Sequence, residues 1–276
     1  MIFKINNLKK NLTNFISQHE NYIYIHIGKC GGSSIKRFFQ KSFSSKLNFY
    51  HLSRPKLKEQ NKSNRFLFVI RNPIERYVSA FNHSKNLIDF DISLIKNPDQ
   101  LNLDNCLAPF HIKNKIKKKG IVFSKEYDSL ISFFKDANTL AEGLSSNNSD
   151  IKSKAISLMK NDFEHLNKGI GWYLHNGDFI KKYHSQIIFV GRLEFLEDDI
   201  NYFSKNNNYK IDLNLANLKK VRVNSKSYSQ YLSEKAIKNI ISWYYETDFK
   251  AIKYLYKFNL IPKIYYEECF KYQNLD

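Results

Sequence analysis

A chain of 276 residues, 42% hydrophobic and 15% aromatic, can bury a sizeable core, which excludes a disordered protein. Its formal charge of +18 and pI near 9.6 call for an anionic partner, substrate or cofactor. A surface coated evenly with lysine would give the same total. Cys30, Cys106 and Cys269 are widely separated and form no CxxC pair, so neither a disulfide framework nor a zinc site is supported. The first fifteen residues lack a secretory h-region, and no apolar run approaches the ~18 residues of a membrane span. A soluble, cytoplasmic protein with no membrane span is the expectation.

In chain order, residues 22–27 (YIYIHI) are a β-branched and aromatic run punctuated by GKCGG. The stretch SSIKRFFQKSF then places Ile35, Phe38, Phe39 and Phe43 at helical spacing, so this region reads strand, glycine loop, helix. His51, in LNFYHLSRP, ends a candidate second strand near that loop. Residues 66–70 form another apolar run, followed by Asn72-Pro73 and a pattern with Ile74, Tyr77, Val78 and Phe81 on one face. Pro73 suits the first turn of that helix. Residues 86–182 read as a mostly helical, polar insertion that shapes the acceptor side, with SSNNSD as a loop tip. A further strand, QIIFVGR (186–192), precedes the helical pattern LEFLEDDINYF. Near the end, Ser233 is placed to cap a helix that closes near Thr247. Buried strands alternating with helices predict an α/β fold with a parallel β-sheet flanked by helices. No repeat or Pro/Gly-rich linker divides the chain, so residues 1–276 are read as one domain.

Phosphate-like groups bind where backbone N–H groups converge at a helix N-terminus, and close approach demands small residues. Gly28, Gly31, Gly32, Ser33 and Ser34 meet that demand, and Lys29 adds a mobile cation. An ordinary tight turn needs only one glycine. The lysine stands ahead of the glycine pair, unlike a Walker A loop, and the run at 66–70 leads into Arg71, not a magnesium-holding aspartate. A kinase or nucleotide hydrolase is therefore disfavoured, and an anion site working without a metal is expected.

Two motifs carry a resemblance. His26-Ile27-Gly28-Lys29-Cys30-Gly31-Gly32-Ser33-Ser34 resembles the H-I-P-K-T-G-G-T-S signature of the PAPS-dependent carbohydrate sulfotransferases (sulfotransferase family 2-like, with a P-loop-type fold). Arg71-Asn72-Pro73-Ile74-Glu75-Arg76-Tyr77-Val78-Ser79 resembles their R-D-P-x-x-R-x-x-S. Gly28, Cys30 and Asn72 depart from the pattern, yet Gly28 keeps the turn, Cys30 retains its backbone N–H, and Asn72 can cap a helix.

The resemblance implies 3′-phosphoadenosine 5′-phosphosulfate (PAPS) as donor, its phosphosulfate on the first loop and its 3′-phosphate on the second motif. Lys29 would then attend the leaving phosphate, the residues from Gly28 to Ser34 would hold oxygens, and Arg71 and Ser79 would grip the 3′-phosphate. Arg222, and with it Asn224, would add to the nucleotide site from VRVNSKSYSQYLSE. Arg76 is either a further ligand or one half of an ion pair; Glu75 faces solvent or pairs locally. His51 is the leading candidate for the base that takes the acceptor proton. His26 is expected to pack under the loop, and His111, His175 and Glu126 are outside candidates. Arg192 and Glu194 are expected to pair near the sheet edge. The lysine run HIKNKIKKKG (111–120) is either a steering patch for an acidic glycan or a solvated face.

The implied function is sulfuryl transfer from PAPS to a carbohydrate hydroxyl, with a glycan or other hydroxyl-bearing acceptor as partner. The alternative is a non-catalytic polyanion-binding protein on a sulfotransferase-like fold. Nucleic-acid binding would rest on charge alone, since no such motif is present.

Overall fold

Apolar residues on both faces of a strand require cover on both faces, and this decides where the first and third strands lie. The computed structural model describes residues 20–32, 35, 39, 47–51, 53–58, 60–96, 125–162, 165–207 and 228–273; for residues 51, 87–96 and 125 it describes the backbone alone. Strands β1 (Asn21–His26) and β3 (Asn64–Ile70) are buried along nearly their whole length and pair side by side. β2 (Leu47–His51) flanks β1, and β4 (Ile187–Arg192) flanks β3, giving the order β2-β1-β3-β4 with every pairing parallel. The expected α/β class is correct. Parallel pairing gathers the strand C-termini at one edge, with His26 opposite His51 and Ile70 opposite Arg192. Ligands of open α/β sheets bind outside that edge. Both signature motifs leave the sheet there.

The helix after β3, α1 (Pro73–Lys96), begins at Pro73 as expected. Asn72 caps it: its Oδ1 accepts the Ile74 N–H at 3.0 Å, and its carbonyl accepts the Arg76 N–H at 2.8 Å. An asparagine here does the capping work of the family's aspartate. α1 runs through position 86, so the helix of the second motif and the start of the insertion are one element. The described part of the insertion is helical: α2 (Lys125–Phe133), α3 (Ala137–Gly143), α4 (Ser149–Lys160), α5 (Ile170–Tyr173) and α6 (Asp178–Tyr183). α7 (Leu196–Asn207) follows β4, and α8 (Glu234–Tyr244) is capped by Ser233, whose Oγ accepts the Ala236 N–H at 3.1 Å.

Two apolar cores result. One surrounds the sheet, where Phe39 meets Phe189 edge-on at 5.3 Å and Phe66 meets Phe179 at 4.8 Å. The other joins α1, α2, α3, α4 and α8 through Tyr77, Phe81, Tyr127, Leu140, Leu158 and Ile240. α8 does not simply close near Thr247. A wide π turn, Tyr245–Phe249, intervenes before α9 (Lys250–Lys257), and α10 (Lys263–Phe270) completes the described chain. The π turn directs Asp248 inward to a buried partner, which is why the sequence pattern blurs at this point. Among the described residues, no helix is long and apolar enough to cross a membrane.

Candidate active site

The chain leaves β1 and turns at once through two left-handed residues, Lys29 (φ 67°) and Gly31 (φ 74°). Turns of this kind converge backbone N–H groups into the concavities that hold anions. A lysine in this region costs about 1–2 kcal/mol that a glycine would not, and such strain persists mainly at functional sites. The neighbouring glycines are small because side chains press on them. A Cβ on Gly28 would collide with the His165 ring, one on Gly32 with the His26 ring, and one on Gly31 would lie 2.5 Å from Leu193 Cδ1. His26 thus packs against the loop, as expected. Cys30 is wholly buried, its N–H reaching the Ile27 carbonyl at 3.4 Å. Burial pushes its thiol up to about 12, against the pull of Arg76 and Arg71, so it is not a nucleophile at neutral pH.

Beside this loop, at the end of β3, Arg71 is half-buried and pairs with the exposed Glu75 at 3.1 Å; its Nε lies 3.9 Å from Glu194. Glu194 also accepts the Asn72 N–H at 3.0 Å and the Tyr265 hydroxyl at 3.2 Å. Burial raises its pKa, opposed by the Asn72 hydrogen bond. The expected Arg192–Glu194 pair is corrected: Arg192 binds Asp199, with Nε 3.1 Å from Oδ1 and its backbone N–H 2.7 Å from Oδ2. Glu194 is already committed to the second motif. Ser79 stands half-buried on α1, two turns into the helix.

Arg76 resolves to the ion-pair reading. Fully buried, it donates from Nε to Asp248 at 3.0 Å and from Nη1 to the His165 carbonyl at 3.0 Å, and it lies over the Tyr244 ring at 5.2 Å. Burial works against its charge, but Asp248 and Tyr244 outweigh that and raise its pKa. Asp248 in turn accepts the Gly171 N–H at 2.9 Å. The pair therefore fastens residues 165–171 to α1 and to the π turn.

That fastening seats on the loop one histidine that sequence reasoning missed, with a second beside it on α1. His165 rests its ring on Gly28, and His83 lies 5.6 Å from it, ring centre to ring centre. His83 stands seven residues after Arg76, on the same helix face, a spacing that gave some signal. His165 gave none. Burial, then Lys29, His83, Arg76 and His26, hold the His165 pKa well below the usual histidine value. An unfolded chain therefore binds this proton first as pH falls below about 6.5, and stability drops from there until the folded pKa is reached. The wild type is expected to lose at most about 1.4 kcal/mol per pH unit on this account. A His165→Gln protein should show a shallower acid decline in melting temperature between pH 7 and pH 5. Parallel curves would contradict it.

His51 ends β2 in register with His26. His175 is occupied structurally, its Nε2 2.6 Å from the Pro55 carbonyl, and Glu126 is exposed on α2. Ser33, Ser34, His111, Arg222 and Asn224, and the lysine run at 111–120, lie outside the described residues.

The arrangement is that of an α/β protein that presents cations and backbone donors to anions at adjacent strand ends. A family model described as the sulfotransferase family matches residues 13–257, and the chain belongs to that family. Its class of chemistry is accordingly sulfuryl transfer to a hydroxyl-bearing acceptor. No curated protein and no solved structure matched the chain.

Proposed function

We propose that this protein transfers a sulfuryl group from PAPS to a hydroxyl of a carbohydrate, without a metal and in the cytoplasm. The observation that carries this reading is the strained Lys29, held in a glycine loop on β1 while Arg71 stands at the end of the adjacent β3. Cations on neighbouring strand ends suit a donor that is anionic at both ends. The residues fit: the left-handed turn offers converging N–H groups, and Arg71 is half-buried with only carboxylates to exchange for a phosphate. When bound, the donor supplies an activated sulfuryl group and a phosphate that can leave.

In this reading Lys29 sets a positive charge where the leaving phosphate gains negative charge, a preorganised interaction of the kind that dominates many enzymatic rate enhancements. The loop N–H groups other than that of Cys30, which is directed to the Ile27 carbonyl and not, as expected, to the donor, hold oxygens in place together with Ser33 and Ser34. Arg71 and Ser79 grip the 3′-phosphate, with Arg222 assisting. A charge and a hydroxyl together satisfy a dianion better than either alone. An imidazole receives the acceptor proton, and the sequence's candidate for it is His51 at the end of β2. Arg76 touches no ligand and holds the scaffold.

Melting with adenosine 3′,5′-bisphosphate, beside ADP and ATP–Mg²⁺, tests the donor. At a hundred times its Kd, the bisphosphate is expected to add about 2.7 kcal/mol, or roughly 5–10 °C for a chain of this size. A shift with ATP–Mg²⁺ alone would overturn the loop assignment. No shift with any nucleotide would favour the non-catalytic polyanion binder.

A further inference from the structure

We propose that the His165 imidazole, seated on Gly28 and faced by His83, is the group that takes the proton from the acceptor hydroxyl. The assignment rests on the sulfotransferase reading above and moves the base from the sheet edge to the segment that arches over the loop. Three placements carry it. The ring lies against the first glycine of the donor loop, so closely that a Cβ there would collide with it. It is half-buried, with its Nδ1 shut off from solvent, so the ring is held in place against the loop. Its backbone is clamped from below, since the Arg76 Nη1 donates to the His165 carbonyl at 3.0 Å and Arg76 is itself fixed by Asp248. A buried ion pair that anchors a histidine against an anion loop is a positioning device; the histidine is what it positions.

The acceptor oxygen forms a bond to sulfur as its proton passes to a ring nitrogen of His165. The bond between sulfur and the donor phosphate breaks, and its electron pair remains on that phosphate, beside Lys29. His165 then returns the proton to solvent.

The charges facing the ring make the base depend on the donor. From the loop and the end of β1 come Lys29 and His26; from α1 come Arg76, which is engaged with Asp248, and His83. Together with burial, these groups keep the imidazole neutral while the loop is empty. A dianionic group on the loop compensates them and raises the ring's proton affinity, so the base strengthens as the donor arrives. Neutral beforehand and more basic afterwards is the order that general-base catalysis requires.

Calorimetry of adenosine 3′,5′-bisphosphate binding, in buffers of different ionisation enthalpy between pH 5.5 and 7, separates this from a structural role. Wild type is expected to take up protons on binding, and His165→Gln and His165→Asn to lose most of that uptake while their Kd at pH 8 stays within about threefold. With PAPS and a mixture of neutral and uronic-acid polysaccharides, both variants should lose about 10²–10⁴-fold in turnover and lack the acid limb of the wild-type pH profile. Unchanged proton uptake, or turnover near that of wild type, overturns the assignment to His165 and leaves the donor reading standing. Failure of wild type to bind the bisphosphate overturns both. If neither variant folds, nitrogen NMR of wild-type histidines decides. One imidazole must shift its titration upward on bisphosphate addition and broaden with a nitroxide-labelled ligand; no shifted imidazole overturns the proposal.

Discussion

Lys29→Met is expected to lower turnover of PAPS by about 10²–10³-fold, the usual cost of removing one preorganised donor from a developing negative charge. Release of adenosine 3′,5′-bisphosphate, followed with the same polysaccharide mixture as acceptor, measures it. Lys29 carries two burdens, a charge and a left-handed backbone at φ 67°, and substitution can separate them. Methionine keeps the stem and the strain but removes the charge. Glycine removes both, and relief of strain is worth about 1 kcal/mol. Lys29→Gly should therefore melt no lower than Lys29→Met while being equally slow. Turnover within threefold of wild type in either variant would show that the cation is not part of the chemistry. The loop would then be a binding turn only.

The second large effect is on stability. Asp248→Asn leaves the Arg76 guanidinium buried beside a neutral amide, and breaking a buried pair in this way costs about 3–5 kcal/mol. Asparagine is the informative choice because its amide oxygen can still accept the Gly171 N–H, so the loss reports the charge. A fall in melting temperature on the order of 10 °C follows. Removing both charges, in Arg76→Met/Asp248→Leu, should cost less than either single change, since no uncompensated ion remains. A single variant that melts within 2 °C of wild type would mean that water reaches the pair. Additive losses in the double variant would deny the coupling.

Much of the architecture was legible because its signals are local. The runs at 22–27 and 66–70 are apolar on both faces, which only a covered parallel strand tolerates, and each is followed by small or capping residues that open a helix. Asn72, Pro73 and Ser233 stand where the physics of helix ends puts such residues. What escaped reading is long-range. Arg76 meets Asp248 across 172 positions and the His165 carbonyl across 89, and neither contact leaves a periodic trace. The mistaken Arg192–Glu194 pairing has the same origin. Proximity in sequence favoured Glu194, but the Asn72 N–H and the Tyr265 hydroxyl claim that carboxylate, and α7 brings Asp199 back to Arg192 one turn into the helix. Of the site, the glycine loop and the arginine motif were readable, His83 left only a helical spacing, and His165 left no trace, because a ring that fits over a glycine is specified by shape.

The π turn at Tyr245–Phe249 sets a rule for what this chain can lose or gain in length. A regular helix could be restored there by removing one residue, a change that looks minor on paper. Because a π turn takes up its extra residue within its own wide turn, that removal would leave Ile252 and Leu255 in phase with the sheet core that they fill. What it would remove is the wide turn itself, which carries Asp248 to Arg76. The surplus residue serves the buried pair and not the helix register, so a relative could lose it and keep its last helices only by finding its buried arginine another partner.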